Sequence, residues 1–178
     1  MYEYIVLIFL ASFLVKAVDF IVDEKIKVKY LDIILGVLYG FLIALVASGA
    51  QIFASLIFAV IIAVALTKKI DSISHMTGLM IFIVFIFILG MPKLDINMLI
   101  VFLVAAVADE ITSDLSDNKK IKGIKAKIFK FRPFMDITAF TVSAITSQWI
   151  LFLGTLSSEA GYKISEISLY RIYKSKRK

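Results

Sequence analysis

The sequence predicts an all-α protein, a polytopic membrane helical bundle of about six transmembrane helices with one basic helix at the membrane interface. Hydrophobic residues make up 61% of the 178-residue chain, well above the share in soluble domains, so bilayer lipid is the solvent that suits it. The apolar residues fall into runs long enough to cross a bilayer, and short polar or charged segments separate the runs. We therefore expect a multi-pass protein of the cell membrane.

Each predicted span is bounded by polar or helix-breaking residues. A glycine–proline segment at 90–92 ends the fourth run, and Pro133 suits the first position of the sixth helix. The predicted helices cover residues 4–24, 31–47, 52–66, 76–89, 97–118 and 134–153. A polar break at 157–161 is expected to end a single transmembrane domain, 1–161, and a basic C-terminal tail, 162–178, is expected to follow.

A strongly basic segment, 119–132, separates the last two predicted spans. It carries seven basic residues and no acid, and Ile121, Ile124 and Ile128 recur at helical spacing. This pattern predicts an amphipathic helix that lies in the interface on anionic lipid headgroups. The net charge of +6 is likewise interpreted as an attraction to anionic lipid headgroups, and no nucleic-acid partner is expected.

The chain has no cysteine and a single histidine, His75, which narrows the possible chemistry. Disulfides, thiol catalysis, Cys-ligated zinc and iron–sulfur clusters are excluded, and so is a site with several histidines within one chain. Any metal ion would be a hard cation bound by oxygen atoms, with Mg²⁺ as the expected ion.

Acidic residues cluster at the ends of the first and fifth predicted helices, which run toward the same face of the membrane. On a helix, Glu110, Asp114 and Asp117 fall within about 60° of one another, and Asp109 lies about a quarter turn away. Carboxylates stacked in this way repel each other, so a cation is expected to compensate their charge. The predicted Mg²⁺ site takes carboxylates from both helices: Asp19, Asp23, Glu110 and Asp114.

Three functions fit this sequence. The first is an enzyme that uses the predicted Mg²⁺ site to act on a phosphorylated lipid or isoprenoid at the membrane face. Mg²⁺ would neutralise the leaving group, and basic side chains would attract the anionic headgroup. The predicted substrate-binding residues are Lys16 and Arg132. The predicted catalytic residues are Asp109, Glu110, Asp114 and His75, the last as proton donor or acceptor.

Two other functions fit the same sequence, which leaves open whether the chain is an enzyme and what its oligomeric state is. A small cation transporter or channel would use a polar path, to which Asp136 and Ser143 of the sixth helix would contribute. A membrane assembly or scaffold subunit would dock a partner on the basic face. Simple ion pairing also fits the charged residues, between Lys16 and Asp19 at i, i+3 and between the acids of the fifth helix and the lysines at 119–122.

The distribution of basic residues predicts an orientation. The three connections on the acidic face carry twelve basic residues, and the opposite face carries seven, most of them in the tail. The positive-inside rule therefore places the three connections in the cytoplasm and both termini outside. The basic tail opposes this assignment, and an additional span near the C-terminus would remove the conflict.

Overall fold

A computed structural model describes residues 1–26, 28–70, 72–118, 120–129 and 132–176, and within them the chain forms eight helices and no strand. The first five helices agree with the predicted spans because charged or helix-breaking residues bound each apolar run. The predicted all-α helical bundle is therefore confirmed. The helices are α1 (Tyr2–Asp23), α2 (Leu31–Gly49), α3 (Gln51–Leu66), α4 (Ile73–Leu89), α5 (Ile96–Asp117), α6 (Ile124–Phe129), α7 (Pro133–Thr146) and α8 (Ile150–Lys176).

Within the part of the chain that the structure describes, three helices are long and apolar enough to cross a membrane: α1, α2, and α5 over Ile96–Ser116. α3 and α4 are shorter apolar helices. Large hydrophobic side chains such as Phe87, Ile88 and Val104 are exposed on the outer faces of these helices. An exposed apolar surface of this kind suits lipid and not water. The chain is therefore identified as a membrane protein.

The chain divides into two compact units, each assembled from separate stretches of sequence. Unit 1 contains Met1–Ala50, Asp71–Pro92 and Leu156–Lys178, and unit 2 contains Gln51–Ile70 and Lys93–Thr155. Unit 1 thus includes α1, α2, α4 and most of α8, whereas α3, α5, α6 and α7 belong to unit 2. The predicted domain boundary at residue 161 stays a prediction, and α8 runs through it.

In unit 1, α2 packs against α1 and, with the closest approach, against α4. Gly40 of α2 lies so near the backbone of Gly78 in α4 that a Cβ atom at Gly40 would overlap the Gly78 carbonyl oxygen. One turn earlier, Gly36 approaches the Ser74 carbonyl in the same way. Small residues commonly allow membrane helices to pack backbone against backbone. This contact fixes the first turns of α4, which carry His75, against α2.

The C-terminal part of α8 runs beside α1 and in the same direction. Near the middle of α1, the hydroxyl oxygens of Ser12 and Ser158 are 2.7 Å apart. Further along both helices, the ring of Tyr170 packs edge-on against Phe20, with the ring centroids 4.9 Å apart. α8 therefore carries Arg171 and Lys174 to the end of unit 1 at which α1 also ends.

The structure differs from the sequence prediction along α8, which continues through the expected break at 157–161 and through most of the expected tail. The reason is an inverted pattern of polarity. The covered face of α8 bears serines and a tyrosine that contact α1, and Ser165 on it is fully buried. The exposed face is apolar over four turns, at Leu153, Leu156, Ala160, Ile164 and Ile167. This pattern suits a helix with lipid on one side and a polar protein interior on the other.

In unit 2, α5 packs against both α3 and α7 around a small core of Ala59, Phe102 and Ala139. The Ser55 hydroxyl of α3 accepts a hydrogen bond from the backbone N–H of Asp95, which caps the start of α5. α3 and α5 therefore begin side by side and run in the same direction, so the segment that follows α3 reaches the acidic end of α5.

The predicted sixth helix, 134–153, is in fact two helices joined by a turn. Ser147 adopts a left-handed backbone conformation, with φ of 57°, and the chain reverses there. The hydroxyl of Ser143 accepts the backbone N–H of Phe152, and the rings of Trp149 and Phe152 both pack against Phe140. These contacts stabilise a turn that helical periodicity alone does not reveal.

The predicted basic interfacial segment contains one short helix, α6. Lys119, Lys130 and Phe131 of this segment lie outside the described residues. The Ser116 hydroxyl at the end of α5 donates to the carbonyl oxygen of Ala126 at 2.8 Å, so α6 is attached to α5.

Candidate functional site

The most connected polar site of unit 1 is centred on Asp19, near the end of α1. One carboxylate oxygen of Asp19 lies 2.9 Å from His75 Nε2 of α4, and the other accepts the hydroxyl of Tyr162 of α8 at 3.1 Å. Lys16 Nζ lies 3.7 Å from the second oxygen and 4.8 Å from the centroid of the Tyr162 ring. The predicted i, i+3 pair is thus confirmed, but it is one part of a larger network.

The second ring nitrogen of His75 continues this network into the bundle. The hydroxyl oxygen of Tyr39 in α2 lies 3.0 Å from His75 Nδ1 and 3.3 Å from the His75 carbonyl oxygen. Because an ionised carboxylate only accepts hydrogen bonds, Nε2 donates to Asp19, and in a neutral ring Nδ1 accepts from Tyr39. We call these three side chains the His75 relay. It leads from Asp19, whose side chain is 26% exposed, to Tyr39, which is 7% exposed.

Local sequence explains why the relay is held in place. Ser72 caps α4 and accepts the backbone N–H of His75, so His75 lies in the first turn of a helix and not in the predicted loop. The neighbouring Ser74 donates to Asp32 at the start of α2, with 2.5 Å between the oxygens. The Tyr39 ring lies directly over Gly78, where a Cβ atom would overlap it.

A line of polar groups, the α1–α8 seam, extends from the relay toward the other end of α1. Beyond Lys16 it contains the pair of Ser12 and Ser158, and then Ser157, whose hydroxyl donates to the Ile5 carbonyl at 2.8 Å. Among the described residues, the buried hydroxyl of Ser165 on the same face of α8 has no hydrogen-bond partner. An unpaired buried hydroxyl is uncommon and is often satisfied by an ordered water molecule.

Unit 2 holds a second charged site at the end of α5. The buried carboxylate of Glu110 pairs with Lys69 at 2.9 Å and with Arg132 at 3.0 Å, and Asp114 also pairs with Lys69, at 2.8 Å. Burial of Lys69 opposes its charge and is the largest single effect on its pKa. The hydrogen bonds and negative charges of Asp114 and Glu110 together outweigh that effect and raise the pKa of Lys69 above its usual value.

Asp109, which the sequence suggested as a catalytic residue, has a structural role in unit 2. Its side chain is buried, and its two carboxylate oxygens accept the backbone N–H groups of Phe134 and Met135 at 3.0 and 2.7 Å. These groups belong to the first turn of α7, where Arg132 at the cap position supplies no side-chain cap. Asp109 therefore caps α7 from a neighbouring helix.

The predicted site residues are thus distributed over two places. The structure brings Lys16, Asp19 and His75 together in unit 1, and it places Glu110, Asp114 and Arg132 together in unit 2, as the distances above show. Asp23 is the last residue of α1. The predicted Mg²⁺ site combines acids of both units and stays a prediction; within the described residues, no group of three or more histidine or acidic side chains is arranged to hold a metal ion.

Three residues that contact the predicted site residues were not predicted from the sequence. Tyr39 lies within an apolar run. The sequence feature that could have indicated its contact with another helix is the pair of glycines around it, Gly36 and Gly40, which allow a second helix to approach. Tyr162 belongs to the polar face of α8, and the helical spacing of that face is the signal that indicates it. Lys69 was assigned to a cytoplasmic connection, and nothing local indicates that it meets Glu110.

Comparison with protein-family models, with curated proteins and with solved structures finds no match to this chain.

Proposed function

We propose that the protein is a small multi-pass transporter that moves protons through unit 1, with His75 as the proton-binding group. Charged and titratable side chains inside a membrane bundle are costly, and they commonly mark a path for ions or protons. In unit 1 they are gathered into the relay and the seam, whereas the outer face of α8 is apolar.

The observation that carries this proposal is that one arrangement of heavy atoms satisfies His75 in both of its charge states. In the neutral ring, Nε2–H donates to Asp19, and Nδ1 accepts the hydroxyl proton of Tyr39. In the protonated ring, Nδ1–H donates to the Tyr39 oxygen, and the hydroxyl turns to the His75 carbonyl oxygen. In this geometry, a change in the charge of the ring requires only the rotation of a hydroxyl group.

The seam supplies a route from this proton-binding group toward the opposite end of α1. From Asp19 to Ile5 the helix rises about 21 Å, which is most of the hydrocarbon thickness of a bilayer. Hydroxyl groups recur along this distance at Ser12, Ser157 and Ser158. Water molecules between such groups would complete a hydrogen-bonded path.

The basic residues of unit 1 support an orientation for this path. Lys25 and Lys29 follow α1, and Arg171 and Lys174 lie in the last turns of α8, at the same end of the unit. Among its described residues, the opposite end has no lysine or arginine. The positive-inside rule would then put the Asp19 end in the cytoplasm, and a crossing by α8 would remove the conflict that the basic tail created.

The predicted metal-dependent lipid enzyme is less well supported by the geometry of unit 1. A catalytic His75 would need a ring nitrogen facing a substrate, but Asp19 and Tyr39 engage both nitrogens. The scaffold function would be favoured by a partner protein that co-purifies in stoichiometric amount.

The test is proton flux into liposomes that contain the full-length protein, a potassium gradient with valinomycin, and a pH-sensitive dye inside. His75→Gln is the informative variant, because glutamine offers a donor and an acceptor but does not titrate. We expect the flux to fall by about a hundredfold, the scale of a lost acid–base group. Lys93→Gln, which removes an exposed charged side chain of unit 2, is the control and should leave the flux unchanged. Wild-type flux in a folded His75→Gln variant would overturn the proposal.

A further inference from the structure

Two cations from distant parts of unit 2 are held together by one buried carboxylate. The side chain of Glu110 is only 4% exposed, and its two oxygens contact Lys69 and Arg132 separately. Lys69 follows α3 and Arg132 immediately precedes α7, so these cations share no local sequence. Both cations nevertheless remain at the surface, with side-chain exposures of 27% and 42%.

Such an arrangement is suited to binding an external anion. A free lysine or arginine loses side-chain entropy when it is fixed on a ligand, but Glu110 already fixes both cations. Arginine and lysine are also the usual partners of phosphate oxygens, arginine through its planar fork of N–H donors and lysine as a point charge. The pair therefore presents two cationic groups in fixed positions, and the carboxylates of Glu110 and Asp114 balance their charge until an anion displaces one of them.

The surroundings indicate that the anion belongs to a lipid. The short helix α6 is attached to the end of α5, which also carries the partners of Lys69 and Arg132. The ring of Phe129 in α6 stacks on the ring of Phe134 in α7, with the ring centroids 6.2 Å apart. Lys125 of α6 is exposed, and the large apolar side chains of Ile124 and Ile128 are exposed beside it. Exposed apolar side chains next to basic ones are typical of a helix at the boundary between headgroups and acyl chains.

We propose that Lys69 and Arg132, held by Glu110, bind the phosphate of an anionic lipid headgroup at the membrane surface, with α6 contacting the adjoining lipid. This site lies within unit 2 and does not depend on proton movement in unit 1. Asp114 has a defined part in it. Because Asp114 also pairs with Lys69 and is itself 48% exposed, it competes with the phosphate for the same ammonium group.

The competition by Asp114 gives a test in which variants change affinity in opposite directions. Short-chain phosphatidic acid is titrated onto the full-length protein in detergent, and bound lipid is counted by native mass spectrometry. Lys69→Gln and Arg132→Gln should each weaken binding about fivefold, the effect expected for one basic residue at an anionic lipid. Asp114→Asn should strengthen binding. Lys93→Gln removes an exposed lysine from the segment before α5 and is the matched control, with unchanged affinity.

Two further measurements decide between sources of the phosphate and guard against misfolding. Inorganic phosphate and short-chain phosphatidylcholine should bind at least about tenfold more weakly than phosphatidic acid, since the first lacks acyl chains and the second lacks net negative charge. Equal binding of inorganic phosphate would overturn a lipid as the ligand. Lys69→Arg and Arg132→Lys keep the charge and should retain most of the affinity. Unchanged binding in both glutamine variants, or weaker binding in Asp114→Asn, would overturn the site itself.

Discussion

Replacement of Asp109 by alanine should destabilise unit 2 strongly, because this carboxylate is the cap of a helix that cannot cap itself. The side chain is 1% exposed and accepts two backbone N–H groups of α7 at 3.0 and 2.7 Å. Its removal leaves both N–H groups without this acceptor. A hydrogen bond to a charged group contributes about 1.5–3 kcal/mol, so we expect a loss of about 3 kcal/mol or more in the free energy of unfolding.

The single tryptophan of the chain provides a local probe for this experiment. Trp149 packs against Phe140 in unit 2, so its fluorescence reports on the unfolding of that unit in an SDS titration. Asp109→Asn should lose less stability than Asp109→Ala, since the amide keeps one oxygen acceptor but faces the other N–H with its own donor.

Asp95→Ala is the matched control, because Asp95 is also a capping carboxylate in unit 2 but is exposed. It accepts only the backbone N–H of Met98, at 3.0 Å, and its loss should cost about 1 kcal/mol, the ordinary contribution of a helix cap. If Asp109→Ala lost no more stability than Asp95→Ala, burial and the second hydrogen bond would contribute nothing, and the capping argument would be refuted.

Three other predictions follow from the packing and charges described above. Tyr39→Phe removes the hydroxyl partner of His75 Nδ1, so proton flux in liposomes should fall while the circular dichroism of the protein stays unchanged; normal flux would contradict the relay. Gly40→Ala places a Cβ atom against the backbone of Gly78, which cannot rotate away, and SDS unfolding should show a loss of about 1–3 kcal/mol; wild-type stability would show that the two helices separate freely. The carboxylates of Asp114 and Glu110 raise the pKa of Lys69. The stability that the ion pairs of Lys69 provide should therefore be complete below about pH 10, and it should disappear as the pH rises through the raised pKa. The difference between wild type and Lys69→Gln in SDS unfolding should therefore be constant from neutral to mildly basic pH, and a difference that already fades there would contradict the raised pKa.

The fold was largely predictable from sequence where one physical signal was sufficient. Five helices follow from apolar runs with charged or breaking residues at their ends, and the first turn of α4 was missed only because Ser72 was taken for part of a loop. α8 was missed for the opposite reason. Its apolar stripe faces outward and its serines face inward, so a search for a continuous apolar run misses it.

The candidate site was predictable in some of its residues, although Tyr39, Tyr162 and Lys69 were not among them, and its groupings were not predictable. Lys16, Asp19 and His75 were identified as a charged set inside or beside a span, and the i, i+3 spacing predicted the first pair. The contact between Asp19 and His75 joins residues 56 positions apart, and it depends on which helices are neighbours. Hydrophobic periodicity shows which face of a helix is apolar but does not show which helix covers it.

The route by which unit 1 is assembled has a consequence for the newly made chain. α1 is synthesised before α8, and its partners Ser157, Ser158 and Tyr162 follow their contacts in α1 by more than 140 residues. Until α8 is made, Ser12 lacks the hydroxyl of Ser158 and Asp19 lacks the hydroxyl of Tyr162, although Lys16 and His75 already contact the Asp19 carboxylate. Chains that stop before α8 should consequently have an incomplete α1 contact face and should be recognised and degraded.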